Sequence, residues 1–229
     1  MYKRIILFVL ALSLVCASAF AADNLVVNQK KMISLDYYGT VDVEVYAELE
    51  NTGDKPVEFS SGLVELLDKD GNVIGSSDYL NANPAVLAPG EKGYIVVSIY
   101  PESVTVPTDV VDFTLVVTGK STTSETKLLK ATGTYEPGVV DGYWTYNYLT
   151  AEITNETADT LYDPYCVYAL KDADGNLLYV YYTAAYSIGV PAGGTVFMRA
   201  SLPDMILEYL NANGITPATV DTIAYENPY

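Results

Sequence analysis

The sequence contains no histidine, one tryptophan and two cysteines, and its 12 lysines and arginines face 29 aspartates and glutamates. Without histidine the chain lacks the commonest general base, the usual activator of serine and cysteine nucleophiles, and the commonest ligand of catalytic zinc. Carboxylate-only catalysis needs just two acids, as in glycoside hydrolysis. Here, however, Glu44, Glu48 and Glu50 alternate along a strand-like run, and Asp68, Asp70, Asp172 and Asp174 fall in turn-forming segments. No glycine-rich phosphate loop or dinucleotide fingerprint is present. The reading is a protein that is not an enzyme.

The scarcity of cations excludes another class of partner. A formal net charge of −17 repels nucleic acid and anionic membrane. Disulfides are excluded as well. Cys16 lies in a leader-like segment, which leaves Cys166, between Tyr165 and Val167, as a small hydrophobe in an apolar run. Stability then rests on apolar burial, and hydrophobic residues, which make up half of the chain, are ample for it.

Long apolar runs are also lacking, with one exception. Lys3 and Arg4 precede a continuous apolar stretch from Ile5 to Val15, and Ala19 and Ala21 flank Phe20 in an A-x-A pattern. This is read as a signal peptide over residues 1–21, because a membrane-spanning helix needs about 20 apolar residues. Lipidation of Cys16 is disfavoured by Val15, since a small residue is expected before a lipidated cysteine. Cleavage after Ala21 leaves 10 cations against 29 acids, a net charge of −19, on a chain expected to be secreted or envelope-associated, with no membrane span.

What the sequence has in quantity is self-similarity. Ala47–Val57 (AELENTGDKPV) matches Ala151–Leu161 (AEITNETADTL) at an offset of 104 residues, and DKDGNVIG from Asp68 matches DADGNLLY from Asp172 at the same offset. Leu87–Glu91 (LAPGE) matches Val190–Gly194 (VPAGG) one residue closer. The chain is therefore read as a duplication, residues 23–134 and 135–229, with a turn-rich junction near Thr134–Gly142.

Each copy is expected to be a small antiparallel β unit. Val43, Val45, Ala47 and Leu49 alternate with Asp42, Glu44, Tyr46, Glu48 and Glu50, the period of a strand with one wet face. The segments N-T-G-D-K-P and N-E-T-A-D are polar turns, and Gly71 and Gly175 suit tight hairpins. In Pro203–Gly214 (PDMILEYLNANG) the period changes: Met205, Ile206, Tyr209 and Leu210 share one helical face, and Gly214 ends it. The predicted fold is all-β: two tandem immunoglobulin-like antiparallel β-sandwiches after a signal peptide, with one short helix in the second.

The succession A-E-L-E-N-T-G-D-K-P-V, then a strand into D-x-D-G-N, then L-A-P-G-E before a further strand, resembles the immunoglobulin-like FxLYD domains of exported bacterial proteins. Thr160–Asp163 (TLYD) is similar to the element that names the family, whereas the first copy carries Val57, Glu58, Phe59 and Ser60 there. The resemblance implies fold and surface location and transfers no catalytic residue.

Two sets of candidate ligand residues follow. The D-x-D-G-N turns cluster Asp68, Asp70 and Asn72, and Asp172, Asp174 and Asn176, as oxygen donors for calcium, the one cofactor considered. An EF-hand is excluded, because the twelfth positions are Tyr79 and Thr183 and glycine falls fourth instead of sixth. The alternative is a hairpin turn in which aspartate caps backbone amides.

The second set is aromatic. Fourteen of the 21 tyrosines and the tryptophan lie from Tyr135 onward. By the repeat offset, Thr40, Asp42 and Glu44 correspond to Trp144, Tyr146 and Tyr148, a row of rings on one strand face at about 6.6–7 Å intervals. Three roles suit such a row: packing against the first copy or against Tyr179–Tyr182, anchoring a protein partner, or stacking on sugar rings of a surface glycan. The second copy, with only Lys171 and Arg199 as cations, is expected to carry recognition.

Overall fold

The computed structural model describes residues 24–226. The expected leader, its cleavage site and Cys16 lie outside the described residues. The described chain is all-β, with antiparallel sheets and a single α-helix.

In the first half, β1 (Leu25–Tyr37), β2 (Thr40–Asn51), β3 (Val57–Leu67), β4 (Val73–Ser77), β5 (Ala82–Asn83), β6 (Val86–Leu87), β7 (Lys92–Ile99) and β8 (Asp112–Ser121) form two facing sheets. One sheet runs β1-β2-β7-β5, and in the other β3 pairs with β4, β6 and β8. Val43, Val45, Ala47 and Leu49 of β2 are fully buried against Val64 and Leu66 of β3, so the apolar phase of the alternation fills the sandwich. Each such Val, Leu or Ile contributes about 1.5–3 kcal/mol by leaving water.

The second half comprises β9 (Leu128–Asp141), β10 (Trp144–Thr154), β11 (Leu161–Tyr162), β12 (Pro164–Lys171), β13 (Leu177–Ala184), β14 (Gly189–Val190), β15 (Thr195–Ser201), α1 (Asp204–Ala212) and β16 (Thr219–Glu226). Here β10 lies between β9 and β15, and β12 between β13 and β16. These pairings match those of β2 with β1 and β7 and of β3 with β4 and β8. Strand β9 crosses between the sheets, pairing with β16 at Leu128 and Leu129 and with β10 from Lys130 onward. Gly133 permits that crossing, since a Cβ there would lie 2.5 Å from the Val220 carbonyl oxygen.

The turn motifs have identical hydrogen bonding at the two places. Asn51 Nδ2 donates to the carbonyls of Lys55 and Leu87, both at 2.8 Å, and Asn155 Nδ2 donates to those of Asp159 and Val190, also at 2.8 Å. Both asparagines are buried, so these bonds satisfy amides that would otherwise be costly to enclose. Helix α1 occupies the expected segment, with Pro203 at its N-cap, and its first-half counterpart is a 3₁₀ turn at Pro107–Asp109.

Two expectations are corrected. Thr134–Gly142, read as a turn-rich junction, is strand as far as Asp141; the connection between the halves is residues 122–127, and the turn formers instead serve a bulge and the Gly142–Tyr143 hairpin. The Asp42–Glu50 face of β2, read as wet, is largely covered: Tyr46, Glu48 and Asp42 are buried. Its cover is the second half. Ile33, Leu35, Tyr46 and Tyr94 join the apolar cluster built around Val167, Leu178 and Tyr179.

Several polar groups at this contact are paired. Tyr46 and Tyr179 meet edge to face with centroids 5.4 Å apart. Glu48 receives Lys92 and Lys171, each at 2.7 Å, and Lys171 also reaches Asp221 at 2.8 Å. Burial alone would raise the Glu48 pKa, but Lys171 and Lys92 outweigh it and hold the carboxyl below its usual range. Gln29 clamps the second D-x-D-G-N turn, donating to the Gly175 carbonyl at 3.1 Å and accepting from the Leu177 amide at 2.7 Å.

Candidate functional site

Strand β10 alternates between two faces. Leu149, Ala151 and Ile153 are buried in the core, while Trp144, Tyr146, Tyr148, Thr150 and Glu152 point the other way. Trp144 is 69% exposed, Tyr146 and Tyr148 are half-buried, and none of the three belongs to the apolar cluster that joins the first half to Tyr179. The Tyr146 and Tyr148 rings lie tilted with centroids 5.5 Å apart.

A bulge in β9 shapes this end of the sheet. Tyr146 pairs with Val139 but Tyr148 with Glu136, so β9 places two residues, Pro137 and Gly138, opposite Asn147 alone. Gly138 adopts a left-handed backbone conformation within the bulge. Its amide donates to Asn147 Oδ1 at 3.1 Å.

Neighbouring strands complete the face with residues that the sequence reading did not single out as site residues. Arg199 of β15 lies opposite Thr150, with its guanidinium 4.6 Å from the Tyr148 ring centroid, a cation–π distance. Its Nη2 donates to Glu136 Oε2 at 2.9 Å. Phe197, opposite Glu152, is 68% exposed. A groove of about 540 Å³ runs between Thr132, Thr134 and Glu136 of β9, Thr150 and Glu152 of β10, and Phe197 and Arg199 of β15. The Thr150 hydroxyl in this groove is enclosed and has no hydrogen-bond partner. The signal for Phe197 and Arg199 was available in TVFMRAS, whose alternation places both on the same face as the rings.

The other candidate residues lie elsewhere. In the first D-x-D-G-N turn, Asp68 Oδ1 accepts the amides of Asp70 and Asn72 at 2.8 and 2.9 Å, and Oδ2 accepts Asn72 Nδ2 at 2.9 Å. Asp172 does the same with Asp174 and Asn176. Gly71 and Gly175 close these turns at positive φ, which glycine adopts without steric cost. The Asn72 and Asn176 side chains hold the Asp68 and Asp172 pKa values below the ordinary range. Among the described residues, no three acidic, cysteine or histidine side chains gather as metal ligands.

Cys166 is fully buried, and burial pushes its thiol up to about 12, which leaves it without thiolate at neutral pH. Among the described residues, no helix is long and apolar enough to cross a membrane.

No family model and no curated protein matches the chain. Among solved structures, similarity extends to red sea bream transglutaminase, at 14% identity and TM-score 0.22 over 77% of this chain and 27% of that one. It extends also to the N-terminal CBM22-1–CBM22-2 tandem domain of Paenibacillus barcinonensis Xyn10C, at 11% identity and TM-score 0.13 over 89% and 86% of the two chains. The chain thus spans about a quarter of the transglutaminase, and at these scores neither likeness bears on function.

Proposed function

We propose that this protein is a non-catalytic, exported binding module, made of two copies of one FxLYD-like β unit, whose second copy recognises a partner at the cell surface. The observation that carries the proposal is a contrast between matching sheet faces. The β1-β2-β7 face is sealed by the second half through Ile33, Tyr46 and Glu48, whereas the β9-β10-β15 face bears Trp144, Tyr146, Tyr148 and Phe197 and remains open. A row of rings along one open sheet face, exposed at both ends, is the composition of a recognition surface. The absence of histidine and the inert Cys166 thiol support a role without catalysis.

The test is retention of the purified protein on cell-surface extract. The expected result is that Trp144→Ala abolishes retention while the melting temperature is kept, and that Tyr79→Ala, an exposed ring in the first half, changes nothing. Retention unaffected by Trp144→Ala would remove the second-half face from the proposal.

A further inference from the structure

The covered and the open face differ in more than occupancy. Where β1-β2-β7 presents Ile33, Tyr46 and Val96 to a protein surface, the paired positions of β9-β10-β15 hold Glu136, Thr150 and Arg199. The apolar contacts suited to another protein are replaced by hydrogen-bonding groups. Aromatic rings remain, displaced along β10 to Trp144, Tyr146 and Tyr148.

Such a mixture suits one ligand chemistry. A pyranose ring offers an apolar C–H face that stacks on an aromatic side chain and, at its edge, hydroxyls that both donate and accept. The groove supplies the complements: Glu152 accepts and Arg199 donates. From Trp144 to Glu152 the strand extends about 26 Å at its ordinary rise, enough for several sugar units end to end.

Charge narrows the class further. Arg199 is already paired with Glu136, Glu152 adds a negative charge, and the chain carries −17 overall. An acidic polymer would be repelled.

Resting on the reading of this face as the recognition surface, we propose that its ligand is an uncharged oligosaccharide, lying along β10 with its rings on Trp144 and Phe197 and its hydroxyls on Glu152 and Arg199. The experiment titrates the whole protein with cellohexaose, xylohexaose, mannohexaose and chitohexaose, with polygalacturonate as the acidic counterpart. Binding is followed by calorimetry and by emission of the single tryptophan. At least one neutral hexasaccharide is expected to bind and shift the emission. Trp144→Ala and Phe197→Ala should each weaken it by about tenfold, and Tyr79→Ala not at all.

No response to any neutral hexasaccharide up to about 5 mM, binding indifferent to Trp144→Ala and Phe197→Ala, or preference for polygalacturonate would overturn the proposal. Surface extract separates this failure from that of the broader reading. Retention through Trp144 that is destroyed by protease but survives periodate would leave the face as a recognition surface and reject the glycan.

Discussion

Tyr46 of β2 and Tyr179 of β13 meet edge to face, 5.4 Å between centroids, and through this contact the first half's sheet face closes onto the second half. Both rings are buried, and burial drives the Tyr179 phenol pKa upward. Glu44 accepts a hydrogen bond from the Tyr46 hydroxyl at the same contact.

Removing either ring leaves a cavity at the contact. Tyr46→Ala is expected to cost about 3–5 kcal/mol, as for other large aromatic truncations in cores. A double-mutant cycle with Tyr179→Ala should return a coupling of about 0.5–1.5 kcal/mol. Urea unfolding provides the measurement, and additive losses would show that the two rings do not act together.

Lys171→Met would leave the Glu48 carboxylate, which is 1% exposed, with Lys92 and the Tyr94 hydroxyl as its remaining partners. Breaking a buried pair so that one charge is left uncompensated costs about 3–5 kcal/mol, and with Lys92 still beside Glu48 the expected loss is smaller than that. Restoring an apolar pair by adding Glu48→Leu should recover much of that loss. Thermal melts of the two variants distinguish a charge effect from simple loss of packing.

Glu44 sets a pH dependence. Burial, and then the charge of Asp42, raise its pKa from 4.5 to about 7. The folded state therefore holds the proton more tightly than the unfolded state, so for this group stability is fully present below pH 4.5 and is lost as pH rises through 7. With allowance for solvent screening at a half-buried site, the loss is about 1–2 kcal/mol. Glu44→Gln should flatten the dependence of unfolding free energy between pH 5 and 7.5; an unchanged slope would assign it to other groups.

Much of this was legible in the sequence. The two-residue period of Val43–Leu49 and of Leu149–Ile153 marked the buried faces, and the recurrence of Asn51 and Asn155 marked turns whose carbonyls those side chains satisfy. What alternation cannot reveal is whether a polar face meets water or another part of the chain. Glu48 reads as solvent-facing beside Ala47 and Leu49, and only its ion partners Lys92 and Lys171, the latter 123 residues away, account for its burial. Thr134–Asp141 misled for a related reason: Pro137 and Gly138 signal a turn, yet on a strand they produce a bulge.

The D-x-D-G-N turns are expected to be indifferent to calcium, because Asp68 and Asp172 already bind the amides of their own turns. Melting temperatures in millimolar calcium and in chelator should coincide. A rise with calcium, absent in Asp172→Ala, would establish a metal role for the second turn.

The open β9-β10-β15 face is tested most directly by a photoreactive phenylalanine analogue placed at position 144 or, as a control, at position 79, and irradiated on cell-surface extract. Cross-linking from position 144 to material outside the chain, with position 79 giving none, is the expected result. Equal labelling from both positions, or labelling from position 144 confined to the chain itself, would contradict a dedicated recognition face.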